Sequence, residues 1–595
     1  MVGTDLIHHT LLSCPTHFFR KDSTLVSFSH VKQPFRFLLP LCLCLILFSA
    51  CDLFGSGTPP KHTVKAPTKE QVYTIPITSV SSLDTLDPAL AHDISSINAV
   101  QMIFTGLVQL DDTLEVRPQL AASWQVSTDG LTWTFHLKPN LKFSDGTPLT
   151  SADVAYSIDR ALQPATQSTV APIYLSLIKD SDALLGGKIS TLIGDSLLTP
   201  DANTINIITS KAAAYFPAML TYPCSYVVEK SLLTKYGAAF SSHLNEGGGV
   251  GPFKLAQYTR GQEIDFVPDP FYYGAKPQMQ RVRFAFYQDA NAAATAYQHH
   301  VVDETPIALS QVDAVRHQAG FVQALQSWVN YYTMNYLTKP FDNIHIRQAF
   351  ALAIDKTQLA NAVWKGTVLP TNHIVPQGMP GYNPRLTGPD GTQNLGGNPT
   401  KAQALLQQGL REEGYASITQ LPAITLTYAA GTANFDAEVA MMVSMWQKVL
   451  GVTVATQALD YNTLLDRVTA STNNANGLQF WGLAWVAEYP DPQDWLSQQF
   501  GNGQVYNNMN YGQGQSQQTA SKVQQQMQTA DSTMTASTRF SLYQQAEQQL
   551  VDDVAWIPTM QVTQTFLRSP AIVGIVDNGM GITPPDDWAK IYRVV

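Results

Sequence analysis

The sequence predicts an α/β protein of two or three domains, and three observations carry that prediction. The chain has 595 residues, more than a single hydrophobic core organises. Its hydrophobic share is 45% with 10% aromatics, enough to fill large cores. Residues 423–428, 435–450 and 452–457 read as strand, helix and strand, the pattern of a βαβ unit with a parallel pair.

Taken in order, the chain opens with a segment that is not part of the fold. Lys32 and Arg36 precede an apolar stretch, residues 37–48, which ends in Ser49-Ala50-Cys51. A basic flank, a short apolar run and small residues before a cut form an export signal, and the run is too short to span a bilayer comfortably. The layout resembles a bacterial lipoprotein signal, so residues 1–50 are expected to be removed and Cys51 to be lipidated. An ordinary signal peptide cut nearby and a single anchor helix are the alternatives. The stretch ahead of the basic flank is long for such a signal, which points to a translation start further on, for example at Val31. Residues 51–71 contain Gly55, Gly57, Pro59, Pro60 and Pro67 without apolar periodicity, and read as a flexible tether.

Residues 72–80 alternate apolar and polar side chains and read as a strand. Pro88 biases Asp87 away from helix, so residues 82–88 form a loop. Residues 97–110 follow a mostly helical period that closes near Gly106. Asp129-Gly130 is a strong hairpin dipeptide. Beyond it Leu131, Trp133, Phe135 and Leu137 share one face of a strand. Thr150 and Asp153 have capping-box spacing ahead of a helix with Val154, Ile158 and Leu162 on one side. Residues 204–209 alternate as a strand. A helix pair around residues 346–354 and 357–364 has Asp355 as the cap between them. The Gln-rich region 513–549 keeps partial apolar faces through Val523, Met527, Phe540, Leu542 and Leu550, so it reads as polar surface helices, not disorder.

Residues 481–492 stand out within this order. The run Trp481-Gly-Leu-Ala-Trp485-Val-Ala-Glu488 ends at a lone carboxylate and turns through Tyr489-Pro490-Asp491-Pro492, where two prolines forbid a continuing strand. A buried strand that delivers one acid and large aromatics to a loop suits recognition of an amine-bearing ligand. It also fits a plain core strand followed by a proline turn, and pattern alone favours that second reading.

Charge and cysteine usage narrow the function classes. The formal net charge is −10, charged residues are 14%, and no Lys/Arg cluster follows the first forty residues, which argues against nucleic acid as a partner. Four of five cysteines lie in the first 51 residues, leaving Cys224 alone in the body. That excludes a disulfide framework and a Cys-x-x-Cys metal site. No Gly-x-Ser-x-Gly elbow or His-Glu-x-x-His motif occurs, and Gly186-Gly187-Lys188-Ile189-Ser190 lacks the spacing of a phosphate loop. His299 and His300 with Asp303 and Glu304 have metal-ligand spacing, but a solvated helix end explains them better.

Five ordered blocks then place the chain beside a known family. Residues 83–162 contain LDTLDPAL, IFTGLVQL, LAASW, DGLTWTFHL and KFSDGTPLTSADVAYSIDRAL. GVGPF at 249–253 follows with DPFYY at 269–273, then FDNIHIRQAFALAID at 341–355, residues 485–492, and YQQAE at 543–547 through Pro558. Together they resemble the extracytoplasmic solute-binding proteins of the peptide/nickel ABC-transporter class, the oligopeptide- and dipeptide-binding proteins, over nearly the whole chain from about residue 72.

The resemblance implies a periplasmic-binding-protein-like fold of type II, two lobes around a hinge-closed cleft, with an extra domain in the first. Residues 72–328 with 560–595 are then lobe I, residues 113–214 its extra subdomain, and 329–559 lobe II. The chain would cross near residues 328–330 and 558–560. In the peptide-binding relatives an Asp in a Trp-x-Ala-Asp-Tyr segment pairs with the ligand α-ammonium. Here Trp485, Val486, Ala487, Glu488 and Tyr489 occupy that segment, with Glu488 keeping the charge one methylene further out. His92, Asp93 and Ile94 would line the cleft from the first lobe. No arginine in the segment is placed to grip a ligand carboxylate. The implied protein is a lipid-anchored monomer on the outer face of the cytoplasmic membrane. It would capture a peptide or similar amine-bearing solute for an ABC permease, without cofactor, metal or reaction. The alternatives are a nickel chelate, an oligosaccharide or another small solute as cargo, a surface-anchored hydrolase, and a sensory or adhesive receptor.

Overall fold

The computed structural model describes residues 64–595, apart from 432, 515 and 516. The export signal and Cys51 lie outside the described residues. Among those described, no helix is long and apolar enough to cross a membrane.

The first sheet joins distant parts of the chain. Val72–Thr78 runs parallel to Arg281–Tyr287, which continues antiparallel to Glu263–Pro268 and Phe253–Thr259. Its core takes Tyr73, Phe253, Phe266 and Phe284 together with Val100 and Ile103 of helix Ile94–Ile103. Ile572, Trp588 and Ile591 fill the same core, so the C-terminal end of the chain returns to the first sheet. A separate antiparallel sheet comprises Ala121–Val126, Thr132–Leu137, Thr204–Ile208 and Leu197–Asp201. Trp133, Phe135 and Leu137 are buried on one face of it. Helix Ser151–Leu162 covers this core and starts at the capping box, with the Asp153 carboxylate accepting from the Thr150 N–H at 2.8 Å.

The largest sheet is built on two long strands, Phe321–Met334 and Ile557–Arg568, which pair antiparallel. Their register shifts between Leu325 and Val329 and again between Asn330 and Tyr331. At one end Glu304–Pro306 pairs with residues 566–568. At the other, Phe480–Val486 pairs along residues 328–334. Val368–Pro370 pairs alongside residues 560–562, and Ile424–Ala429 and Val454–Leu459 extend the sheet as a parallel pair joined through helix Ala433–Leu450, the βαβ unit the sequence predicts.

Two elements differ from their sequence expectation. The helix predicted over 97–110 ends at Ile103, and Val108–Leu110 is a short strand paired with Val116–Pro118. The cause is tertiary: the Ile103 carbonyl accepts the N–H groups of Val250 and Gly251, at 2.9 and 2.7 Å. A distant loop thereby takes over a helix end whose apolar period would otherwise continue. The Gln-rich region forms helices Gln517–Ser532 and Ala536–Asp552. Val523, Met527 and Leu550 are buried, while Phe540 and Leu542 are half-buried.

Candidate ligand-binding site

Phe480–Val486 is an edge strand for most of its length. One side pairs continuously with residues 328–334. On the other side only Phe480 and Trp481 have partners, Leu426 and Thr427. From Gly482 to Val486 that side has no strand partner among the described residues. Gly482, Leu483 and Ala484 face a cleft of about 1350 Å³. Tyr73 and Ile75 of the first sheet and Tyr428 and Phe435 of the βαβ unit line other parts of its wall. A free strand edge in a cleft suits an extended chain, whose backbone it pairs with while side chains enter flanking space.

Just past the end of that strand, and outside the lining of the cleft, stands a polar cluster. Glu488 Oε2 accepts a short hydrogen bond from the Tyr174 hydroxyl, which comes from the antiparallel-sheet region. Oε1 has no partner among the described residues, and no cation pairs with the group. Burial raises the carboxyl pKa, against the opposing pull of the Tyr174 bond. Tyr174 stacks on Tyr222 at 3.6 Å, and the Tyr222 hydroxyl donates to the Ala91 carbonyl at 3.1 Å. The cluster is thereby tied to the loop preceding Asp93.

A second carboxylate sits beneath the first. Asp494 is fully buried. Its Oδ2 accepts from the Glu488 backbone N–H at 3.0 Å and the Trp485 indole N–H at 3.2 Å. Its Oδ1 is buried without a partner among the described residues. Burial first, and then the negative field of Glu488, lift its pKa well above the ordinary range. A fully buried and a half-buried carboxyl group side by side, without a countercharge among the described residues, are costly if both ionise, and an ammonium group beside them would relieve that cost.

The structure separates the residues the sequence singles out. Trp485 is half-buried, its ring 4.9 Å from that of Tyr506. Val486 is exposed, and Ala487 is buried with its N–H donating to the Ser327 carbonyl at 2.9 Å. Tyr489 is a core residue, stacked on Tyr215 at 6.1 Å and packed with the antiparallel-sheet cluster. Asp93 and Ile94 line the cleft. Asp93 also caps its helix, Oδ1 accepting from the Ser96 N–H at 2.9 Å. His92 turns to the Leu90 carbonyl, 3.1 Å from its Nδ1, and does not contribute to the cleft wall. Asp303 and Glu304 are engaged by Arg593 and Arg568. Among the described residues no cluster of His, Cys, Asp or Glu is placed to hold a metal. Tyr174, Tyr222 and Asp494 escape sequence reasoning. Tyr174 and Glu488 are 314 residues apart, and Asp494 reads as an ordinary acid at the start of a helix.

The model of the bacterial extracellular solute-binding proteins, family 5, middle region, matches residues 115–507. The chain belongs to that family. Family 5 relatives include the dipeptide-binding protein DppE of Bacillus subtilis, 27% identical over 503 residues, covering 83% of this chain and 88% of DppE. The periplasmic murein peptide-binding protein MppA of Escherichia coli is 28% identical over 556 residues, covering 92% and 96%. Among solved structures, the unliganded open form of MppA superposes with a TM-score of 0.77 at 24% identity, covering 90% of this chain and 99% of that one. Peptide-bound OppA of Listeria monocytogenes gives 0.59 at 23%, covering 88% and 99%. The family 5 two-lobed fold is therefore the architecture of this chain.

Proposed function

We propose that this family 5 protein captures peptides, or similar solutes with a free amine, outside the cytoplasmic membrane and passes them to an ABC permease. The observation that carries the reading is Glu488, a half-buried carboxylate without a countercharge among the described residues, just past the end of a strand with an open edge. The strand edge would pair with the ligand backbone, and Glu488 would take its ammonium group. Relatives named as dipeptide-, oligopeptide- and murein peptide-binding proteins support the same cargo class. On this reading the protein carries out no reaction, and Cys51 bears the lipid that holds it at the membrane. The lobes span residues 72–328 with 560–595, and 329–559, and they hinge at the two crossings. The register shifts beside Val329 and Asn330 support that hinge.

Native mass spectrometry of the secreted domain, purified from its own cells and released by mild denaturation, tests the cargo. A set of masses matching short peptides is expected. A single non-peptide mass would replace the peptide reading with another solute. Glu488→Gln keeps the side-chain shape and removes the charge. It should weaken peptide binding by about 2–5 kcal/mol with the thermal unfolding midpoint retained, and unchanged affinity would remove Glu488 from the site.

A further inference from the structure

The cleft, whose lining does not include Glu488, has an electrostatic feature of its own. Among the described residues that line it, four carry carboxylates, Asp93, Asp289, Glu304 and Asp577, and one carries a cation, Arg568. That arginine spends three of its five N–H donors on two carboxylates. Its Nε donates to Glu304 at 2.5 Å, and its two terminal nitrogens donate to the two Asp577 oxygens at 2.9 and 2.7 Å. A bidentate carboxylate pair with a second acid on Nε uses the fork that would otherwise hold a ligand carboxylate. Asp93 and Asp289 cap helices and form no ion pair among the described residues, and Asp93 Oδ2 is buried without a partner. The strand edge itself contributes no cation. Gly482 faces the cleft with the Tyr332 ring where its side chain would stand, 2.6 Å from an added Cβ.

From this arrangement we infer that the cleft reads its cargo from the amine end alone and disfavours a free carboxylate at the other end. The preferred class is amine-bearing peptides or peptide-like solutes whose carboxyl end is amidated, esterified or otherwise uncharged, or long enough to lie in solvent. A free acid brought against Asp93, Asp289 and the Glu304–Arg568–Asp577 cluster would meet net negative charge in a partly dry cleft. Like charges there are repelled more strongly than in water. This inference rests on the proposed amine-capture function.

A competition experiment separates the two. Equimolar pools of tri- to pentapeptides are offered together as free acids, C-terminal amides and N-acetylated acids, and the captured species are read by native mass spectrometry at low salt. The inference expects amides enriched over the matching free acids by about tenfold, a 1.4 kcal/mol preference, and acetylated peptides excluded. Acids captured as well as amides or better, with acetylated peptides still excluded, would overturn the inference and leave amine capture standing. Acetylated peptides captured as well as free ones, or no member of any pool captured, would overturn amine capture and the inference with it.

Discussion

At the scale of single residues, the protein keeps several ionisable groups dry, and they do different work. Glu488 and Asp494 stand together without a cation among the described residues, the arrangement proposed above to take an ammonium group. Glu547 is structural. Its Oε1 accepts the N–H groups of Ile374 and Val375 at 3.0 and 2.9 Å, while Oε2 is buried without a partner. Burial pushes its pKa up to about 8. A carboxyl whose pKa is raised by folding stabilises the native state fully below its unfolded value, and that contribution is lost as pH rises through the folded value. Lys356, lowered by burial to about 7, acts in the opposite sense, losing stability as pH falls through about 7. The Glu547 effect is therefore cleanest when a variant is compared with the parent at each pH. Glu547→Gln keeps the acceptor oxygen and removes the charge. It should stabilise the protein by on the order of a few kcal/mol above pH 8 and by little near pH 4. Urea unfolding at the two pH values measures this. An equal effect at both would mean that Glu547 is not a dry, titrating group.

At the scale of elements, the strand Phe480–Val486 decides the geometry of the site. Its open edge begins where Ile424–Ala429 stops pairing, after Trp481. Gly482 stands at that point for a packing reason: an added Cβ would lie 2.6 and 2.9 Å from carbons of the Tyr332 ring. The ring has little room to retreat, being buried with its hydroxyl bonded to Glu438 at 3.1 Å. Gly482→Ala should therefore cost about 1–3 kcal/mol of stability and weaken ligand binding by displacing the edge. Chemical denaturation and peptide titration of the same variant check both. Parent-like stability would show that Tyr332 moves freely and that the close approach does not position the edge.

At the scale of the whole molecule, the two long strands join the regions on either side of the cleft, and the walls include Tyr73 of the first sheet and Phe435 of the βαβ unit. A ligand that bridges these walls favours the closed arrangement by its differential affinity for it. Peptide at about 100 times its dissociation constant should add about 2.7 kcal/mol to unfolding stability and shrink the radius of gyration in solution scattering. Stabilisation with an unchanged radius would point to binding on one wall without closure.

Much of the architecture is legible in the sequence because it is written locally. The alternation of Trp133, Phe135 and Leu137, the capping box of Thr150 and Asp153, the Asp355 cap and the strand–helix–strand period of residues 423–457 each depend on neighbours within a few turns or residues. The apolar run that stops at Glu488 is legible for the same reason, and with it the acid at the centre of the proposed site. What only the tertiary structure decided depends on partners far along the chain. The Ile103 carbonyl is taken by Val250 and Gly251, which ends a helix whose pattern continues. Tyr174 reaches Glu488 across 314 residues, and Arg568 is claimed by Glu304 and Asp577 and so withheld from a ligand. Periodicity and capping report what a residue does to its own segment. Burial, countercharge and the occupancy of a hydrogen-bonding fork belong to whatever the fold brings alongside.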